Sequence, residues 1–366
     1  MKNIFFTPGP TQLYPTVQRH FQNGFKGDLG SISHRSEQFQ EMYQELVSSL
    51  KQLLGIPQDY HIFIVGSGTE AMERTIQNCV EKYSLHFVNG SFSKRFFLIA
   101  QDLGKKPIKI DALSGEGFAI EKIKIPKRTE LICFTQNETS SGVMIPTEDI
   151  TALAKKYPDK LIAVDIVSSV PYVDLDYKLL DCVFFSVQKG FGLPAGLGIM
   201  IVSPRAIQKA EGLSQKKISI GSYHSFPNLL HYAQKQQTHE TPPLLAMYLL
   251  ERVIKDMQKR GIDKIRSETD QKAKLLYDFL DKQDTVAAFV KERRVRSQTV
   301  IVIDIKKAKK DIKKILAEKG FIVGGGYGEN KNTQIRIANF PAHSVQDIRR
   351  LIRELKNLRF TTKISP

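Results

Sequence analysis

The chain has 366 residues, 41% hydrophobic and 25% charged, which is the composition of a folded globular protein with material for about two domains. Lys and Arg outnumber Asp and Glu by 54 to 38, a formal charge of +16, but no nucleic-acid-binding motif or zinc spacing accompanies the excess, so an anionic small substrate is expected rather than nucleic acid. The apolar runs are strand-sized, and the start MKNIFFTPGPT lacks a long apolar segment with a cleavage site, so a cytoplasmic protein without membrane association is expected.

Residues 1–14 are expected to form an N-terminal arm leading into a large domain over 15–250. There, short apolar runs alternate with helical patterns: HIFIV then GTEAMERTIQNCV, SLHFVN then FSKRFFLIAQDLG, TELICFT then TEDITALAKKY, followed by LIAVDIV and CVFFSV. That alternation predicts an α/β fold with a mostly parallel sheet covered by helices, and functional residues at the carboxyl ends of strands. Long helices such as LLAMYLLERVIKDMQKRG are expected to cross to a smaller α/β domain over 251–358, containing TVIVIDI, KKILAEKGFIV, TQIRIANF and VQDIRRLIREL. The basic patch Lys306 to Lys314 reads as a solvated helix face, with Ile312, Ile315 and Leu316 pointing inward. The tail 359–366 is expected to fray. Cys79, Cys133 and Cys182 are odd in number and widely spaced, which suggests core thiols and no metal site.

Three strand ends carry chemistry. In FIVGSGTEAMERTI the strand closes at Val65, Gly66 to Gly68 allow a tight turn, and Thr69 opens a helix whose free amides suit a phosphate, although a glycine turn before a helix is also commonplace. In LIAVDIVSSV, Asp165 follows four apolar residues; it is either a turn aspartate or a half-buried carboxylate that needs a cationic partner. In SVQKGFGLPAGLG, Lys189 enters a patch of small residues, as if something bulky must approach. It is either a solvated loop lysine or a desolvated amine nucleophile. A phosphate cradle, a buried anion and a lysine, in that order on one sheet, are the contacts that pyridoxal 5'-phosphate demands.

With those residues go TPGPT, SHRSEQF, GSGTEAME, VNGSF, NETSSG, VDIVSS, HETPP and IRIANF, spread in order over nearly the whole chain. Together they resemble the class V, fold-type-I pyridoxal-phosphate aminotransferases, a large domain plus a smaller C-terminal one, closest to the phosphoserine branch, with the alanine- and serine-glyoxylate enzymes as near relatives. The resemblance implies that Lys189 carries the cofactor and shuttles a proton and that Asp165 keeps the ring nitrogen protonated. It implies further that Ser67, Gly68, Thr69 and Gln188 hold the phosphate, Thr139 meets the phenolic oxygen and Phe92 stacks on the ring. Arg336 would pair with the substrate α-carboxylate, and His34 and Arg35 would hold a substrate phosphate. Thr241 would reach the cofactor of a second subunit, which implies a homodimer with shared sites. The substrates implied are an amino acid and a 2-oxo acid, 3-phosphoserine with 2-oxoglutarate or a small amino acid with glyoxylate. The chain departs from the phosphoserine pattern in having no tryptophan and in having Glu240 where an asparagine is expected.

Overall fold

In the computed structural model, which describes residues 3–306 and 311–357, strand β1 (Ile4–Phe6) is followed by helices α1 (Val17–Lys26) and α2 (Glu37–Leu54). The alternating region then runs β2 (His61–Val65), α3 (Gly68–Cys79), β3 (Ser84–Val88), α4 (Ser91–Asp102), β4 (Ile108–Asp111) and β5 (Leu131–Thr135). A short ribbon of β6 (Asn137–Glu138) and β7 (Val143–Met144) leads to α5 (Thr147–Lys156), β8 (Leu161–Asp165), β9 (Cys182–Ser186) and β10 (Gly198–Val202). Helices α6 (Pro204–Gln215), α7 (Phe226–Ala233), α8 (Leu244–Arg260) and α9 (Ile262–Leu280) precede β11 (Ala287–Ala288), β12 (Val300–Asp304), α10 (Ile312–Glu318), β13 (Phe321–Gly325), β14 (Gln334–Ala338) and α11 (Val345–Asn357).

The large sheet has the order β2-β10-β9-β8-β5-β3-β4; β10 runs antiparallel to both its neighbours and the other pairs are parallel. Its strands read as unbroken apolar runs because both faces are covered. Side chains alternate across a strand, so Ile62 and Ile64 of β2 pack with α2 and α8 on one face, whereas Phe63 and Val65 pack with α3 and α6 on the other. The three thiols are buried, Cys79 and Cys182 with sulfurs 3.6 Å apart.

The second sheet has the order β1-β13-β14-β12-β11. Strand β1, in the stretch expected to be an arm, pairs in parallel with β13, Ile4 opposite Phe321. This sheet buries one face against α9, α10 and α11 through Phe6, Ile301, Ile303, Val323, Ile335 and Ile337. Residue 250, the expected domain boundary, falls inside α8, whose Met247, Leu250, Val253, Ile254 and Met257 all belong to the large core. The crossing is made by α9: Ile265 packs into the large core, Ala273, Leu276 and Leu280 into the small one. In the basic patch, Ile312 and Leu316 are buried as expected, while residues 307–310 and the tail 359–366 lie outside the described residues.

Candidate active site

The carboxyl ends of β8 and β9, the start of α3, the start of α4 and strand β14 face one another across a cavity of about 230 Å³. Its lining includes Ser67, Gly68, Thr69, Phe92, Thr139, Asp165, Gln188, Lys189 and Arg336. Nine of the twelve residues expected from the sequence to hold cofactor or substrate therefore meet in one place.

Lys189 is only 5% exposed, so it is not a solvated loop lysine. Its Nζ donates to Thr139 Oγ1 at 2.7 Å and lies 5.0 Å from the centre of the Phe92 ring. Burial pushes the ammonium well below the usual lysine range, an effect that the carboxylates of Asp165 and Glu138 oppose. The glycines around it serve the chain rather than a ligand. A side chain at Gly190 would run into the Val170 carbonyl at 1.6 Å, and among the small residues of this loop only Ala195 lines the cavity.

Asp165 ends β8 and is 4% exposed. Its Oδ1 accepts the Val167 amide at 2.8 Å. Burial raises the carboxyl above its ordinary range, opposed by that amide and by Lys189.

At α3 the Ser67 hydroxyl caps the helix by accepting the Glu70 amide at 3.1 Å, and the Gly68 amide donates to Ser186 Oγ at 2.6 Å. The Thr69 amide finds no acceptor among the described residues. The side-chain oxygen of Gln188, an acceptor also at the cavity, is buried without a donor among the described residues. A free helix-start amide, a buried carboxylate and a desolvated lysine together fit pyridoxal phosphate.

Arg336 stands between Ile335 and Ile337, which point into the small core, so alternation turns its guanidinium toward the cavity. Its Nε donates to the Gly325 carbonyl at 2.7 Å and its Nη1 reaches the Thr139 carbonyl at 3.3 Å. The Tyr327 ring lies 5.4 Å from its central carbon.

Glu138 carries much of the geometry and had no role in the sequence reading. It is fully buried, and it accepts the amides of Phe92, Ser93 and Ser140 together with the hydroxyls of Ser93 and Ser140. An anion at the start of α4 satisfies that helix's free amides and fixes Phe92 relative to Thr139. Arg95, Tyr327, Ser186 and the turn Pro8–Pro10 also line the cavity without having been foreseen. Arg95 could have been found from helical spacing, since it lies three residues after Phe92.

His34, Arg35 and Thr241 do not line this cavity. Thr241 Oγ1 and His34 Nδ1 lie 3.3 Å apart, outside its lining. There Arg35 Nη1 donates to Gln237 Oε1 and to the Thr238 carbonyl, both at 2.8 Å, and its Nη2 to the His239 carbonyl at 2.9 Å. Glu240 turns back into its own chain: its Oε1 lies 3.2 Å from His224 Nε2, while His224 Nδ1 bonds to Glu70.

Residues 4–338 match the family model described as Aminotransferase class-V. A phosphoserine aminotransferase of Rhodococcus jostii (strain RHA1) is 28% identical over 357 residues, 96% of this chain and 93% of that protein. Among solved structures, a phosphoserine aminotransferase from Cytophaga hutchinsonii shares 46% identity with a TM-score of 0.95 over 97% of this chain and 98% of that one. An alanine–glyoxylate aminotransferase from Nostoc, at 24% identity and TM-score 0.81 over 98% and 95%, shares the fold. A matched span that holds every residue at the cavity leaves one conclusion: this chain belongs to the class V aminotransferases.

Proposed function

We propose that the protein is a pyridoxal-phosphate-dependent transaminase that passes the amino group of 3-phosphoserine to 2-oxoglutarate by a ping-pong route, as a cytoplasmic homodimer with shared active sites serving serine biosynthesis. The observation that carries the chemistry is the buried Lys189 amine, bonded to Thr139 and facing Asp165, the α3 start and Arg336 across one cavity. The phosphorylated substrate is taken from what the 46% identical Cytophaga protein is called.

When bound, pyridoxal phosphate supplies an electron sink. The chain's own residues do the rest. Burial favours the neutral, nucleophilic form of Lys189, and the same amine is placed to move a proton to or from the substrate α carbon. Asp165 keeps a proton on the ring nitrogen. Arg336 offers a planar fork to an α-carboxylate. Thr241 and His34, at the surface and close together, are available to a second subunit.

A second reading, transfer from a small neutral amino acid to glyoxylate, draws on Arg35, whose Nη1 and Nη2 are already engaged with the 237–239 loop. One experiment separates the two. Purified protein is mixed with single amino acids, and the change in cofactor absorbance is followed. The phosphoserine reading expects 3-phosphoserine and glutamate to react and alanine to lag far behind; alanine and serine reacting best would sink it. Borohydride reduction and peptide mapping should place the cofactor on Lys189, and a label on another lysine would remove that assignment.

A further inference from the structure

Three cations, Lys189, Arg95 and Arg336, and one carboxylate, Asp165, line the cavity. Resting on the cofactor reading above, Lys189 is the attachment point, Asp165 serves the ring nitrogen and Arg336 faces an α-carboxylate. Arg95 is left without a task. The phosphate cradle is left without a charge, because Ser67, Gly68, Thr69 and Gln188 are all neutral. A phosphate dianion taken out of water against neutral donors alone is poorly compensated.

The position of Arg95 meets that deficit. It lies one turn into α4, its central carbon 5.1 Å from the centre of the Phe92 ring, so the guanidinium rests on an aromatic ledge and not in open solvent. From there Nη1 reaches Thr69 Oγ1 at 3.3 Å, at the first turn of α3, beside the amide that has no acceptor. Among the described residues that is its one side-chain hydrogen bond, and no carboxylate pairs with it. A fork held over a helix start, charged and unpaired, has the geometry and charge of a phosphate ligand. The Phe92 ring beneath Arg95 and the Tyr327 ring beside Arg336 have centres 5.6 Å apart, so each guanidinium has its own aromatic neighbour.

We propose that Arg95 is the cationic ligand of a phosphate monoester at the start of α3, with the cofactor phosphate as the favoured occupant because of the Thr69 contact. The phosphate of 3-phosphoserine offers the same chemistry, and the test tells the sources apart.

Full-length wild type, Arg95→Gln and Arg95→Lys are titrated at equilibrium with pyridoxal phosphate and with pyridoxal, which lacks the phosphate. Thermal melts check that each is folded, and phosphorus NMR of the loaded proteins reports the phosphate environment. Arg95→Gln is expected to bind pyridoxal phosphate roughly tenfold to a hundredfold more weakly and pyridoxal unchanged, with a displaced phosphorus signal, and Arg95→Lys to recover part of the loss. If pyridoxal phosphate binding is untouched but 3-phosphoserine loses affinity while serine does not, the arginine holds the substrate's phosphate instead. Equal losses for pyridoxal phosphate and pyridoxal would show that Arg95 merely supports Phe92, and the proposal falls. Should wild type capture neither aldehyde on Lys189, the cofactor reading fails and this inference with it, an outcome read without any Arg95 variant.

Discussion

Asp165 and Lys189 show how burial changes the chemistry of ordinary residues. Each is desolvated, so the carboxyl is pushed up and the ammonium down, for a reason absent from its own side chain. Asp165→Asn keeps the shape and removes the charge. The variant should therefore still take up pyridoxal phosphate, but its transamination rate should drop by about a hundredfold or more, as when a transition state is deprived of one preorganised electrostatic partner. Single-turnover absorbance measurements check this, and near-normal turnover would take Asp165 out of the mechanism. Glu138 works one step back: a buried carboxylate without a cation is costly, and here three amides and two hydroxyls compensate it while setting the position of Phe92.

Between elements, the decisive interaction is the ion cluster that ties α3 to the loop before α8. His224 is buried between Glu70, in the first turn of α3, and Glu240, next to Thr241. Burial alone opposes its charge, but the hydrogen bonds and charges of Glu240 and Glu70 raise it to about 9. Both carboxylates are lowered in turn: burial works against them, and the bond to His224 prevails. The raised histidine contributes stability that is complete below its unfolded value of 6.5 and disappears as pH rises through about 9. The lowered carboxylates contribute above their unfolded value of 4.5 and lose that contribution in acid. Wild type should thus exceed His224→Asn in melting temperature by most between these two values, and the gap should close by about pH 10. A gap that is flat across the whole range would show that the cluster stabilises through packing and not through charge. Arg35 grips the same loop through Gln237, Thr238 and His239, with its guanidinium 4.9 Å from the Tyr232 ring centre. Two anchors on so short a segment hold Thr241 in a set position.

At the level of the whole molecule, the N-terminal residues join the two sheets at the site. β1 is an edge strand of the small sheet, and its Phe6 stacks on His343 at 4.6 Å. The chain then passes over the lysine loop, where the Thr11 amide donates to the Gln188 carbonyl at 3.2 Å and the Tyr14 amide to the Gly192 carbonyl at 2.8 Å. Between these two anchorages sits Gly9, with φ +112, where an added Cβ would lie 2.8 Å from Lys189 Cε. Gly9→Ala should cost about 1–2 kcal/mol of stability through the left-handed backbone and should slow capture of pyridoxal phosphate by displacing the lysine stem. Thermal unfolding and stopped-flow absorbance give the two numbers. A variant as stable and as fast as wild type would show that the strap does not press on the lysine. The two-body division we propose follows the same logic, with the crossing on α9, where buried residues change from one core to the other.

The strands and helices of the large sheet could be read from the sequence because both its faces are buried, and two-sided burial writes itself as unbroken apolar runs bounded by glycine turns. The order Ser67–Thr69, Asp165, Lys189 was legible for a similar reason, since each lies at or just beyond the carboxyl end of a strand, where an α/β sheet places its chemistry. The antiparallel course of β10 was not legible, because hydrogen-bond direction leaves no mark on an apolar run. Nor was the pairing of β1 with β13, which joins residues more than three hundred positions apart and shows only when both lie in one sheet. Tertiary structure alone decided the work of side chains that act across elements: Glu138 on the start of α4, Arg95 on Thr69, and Glu240 on His224. Their meaning lies in distances and desolvation, and no local sequence pattern encodes either one.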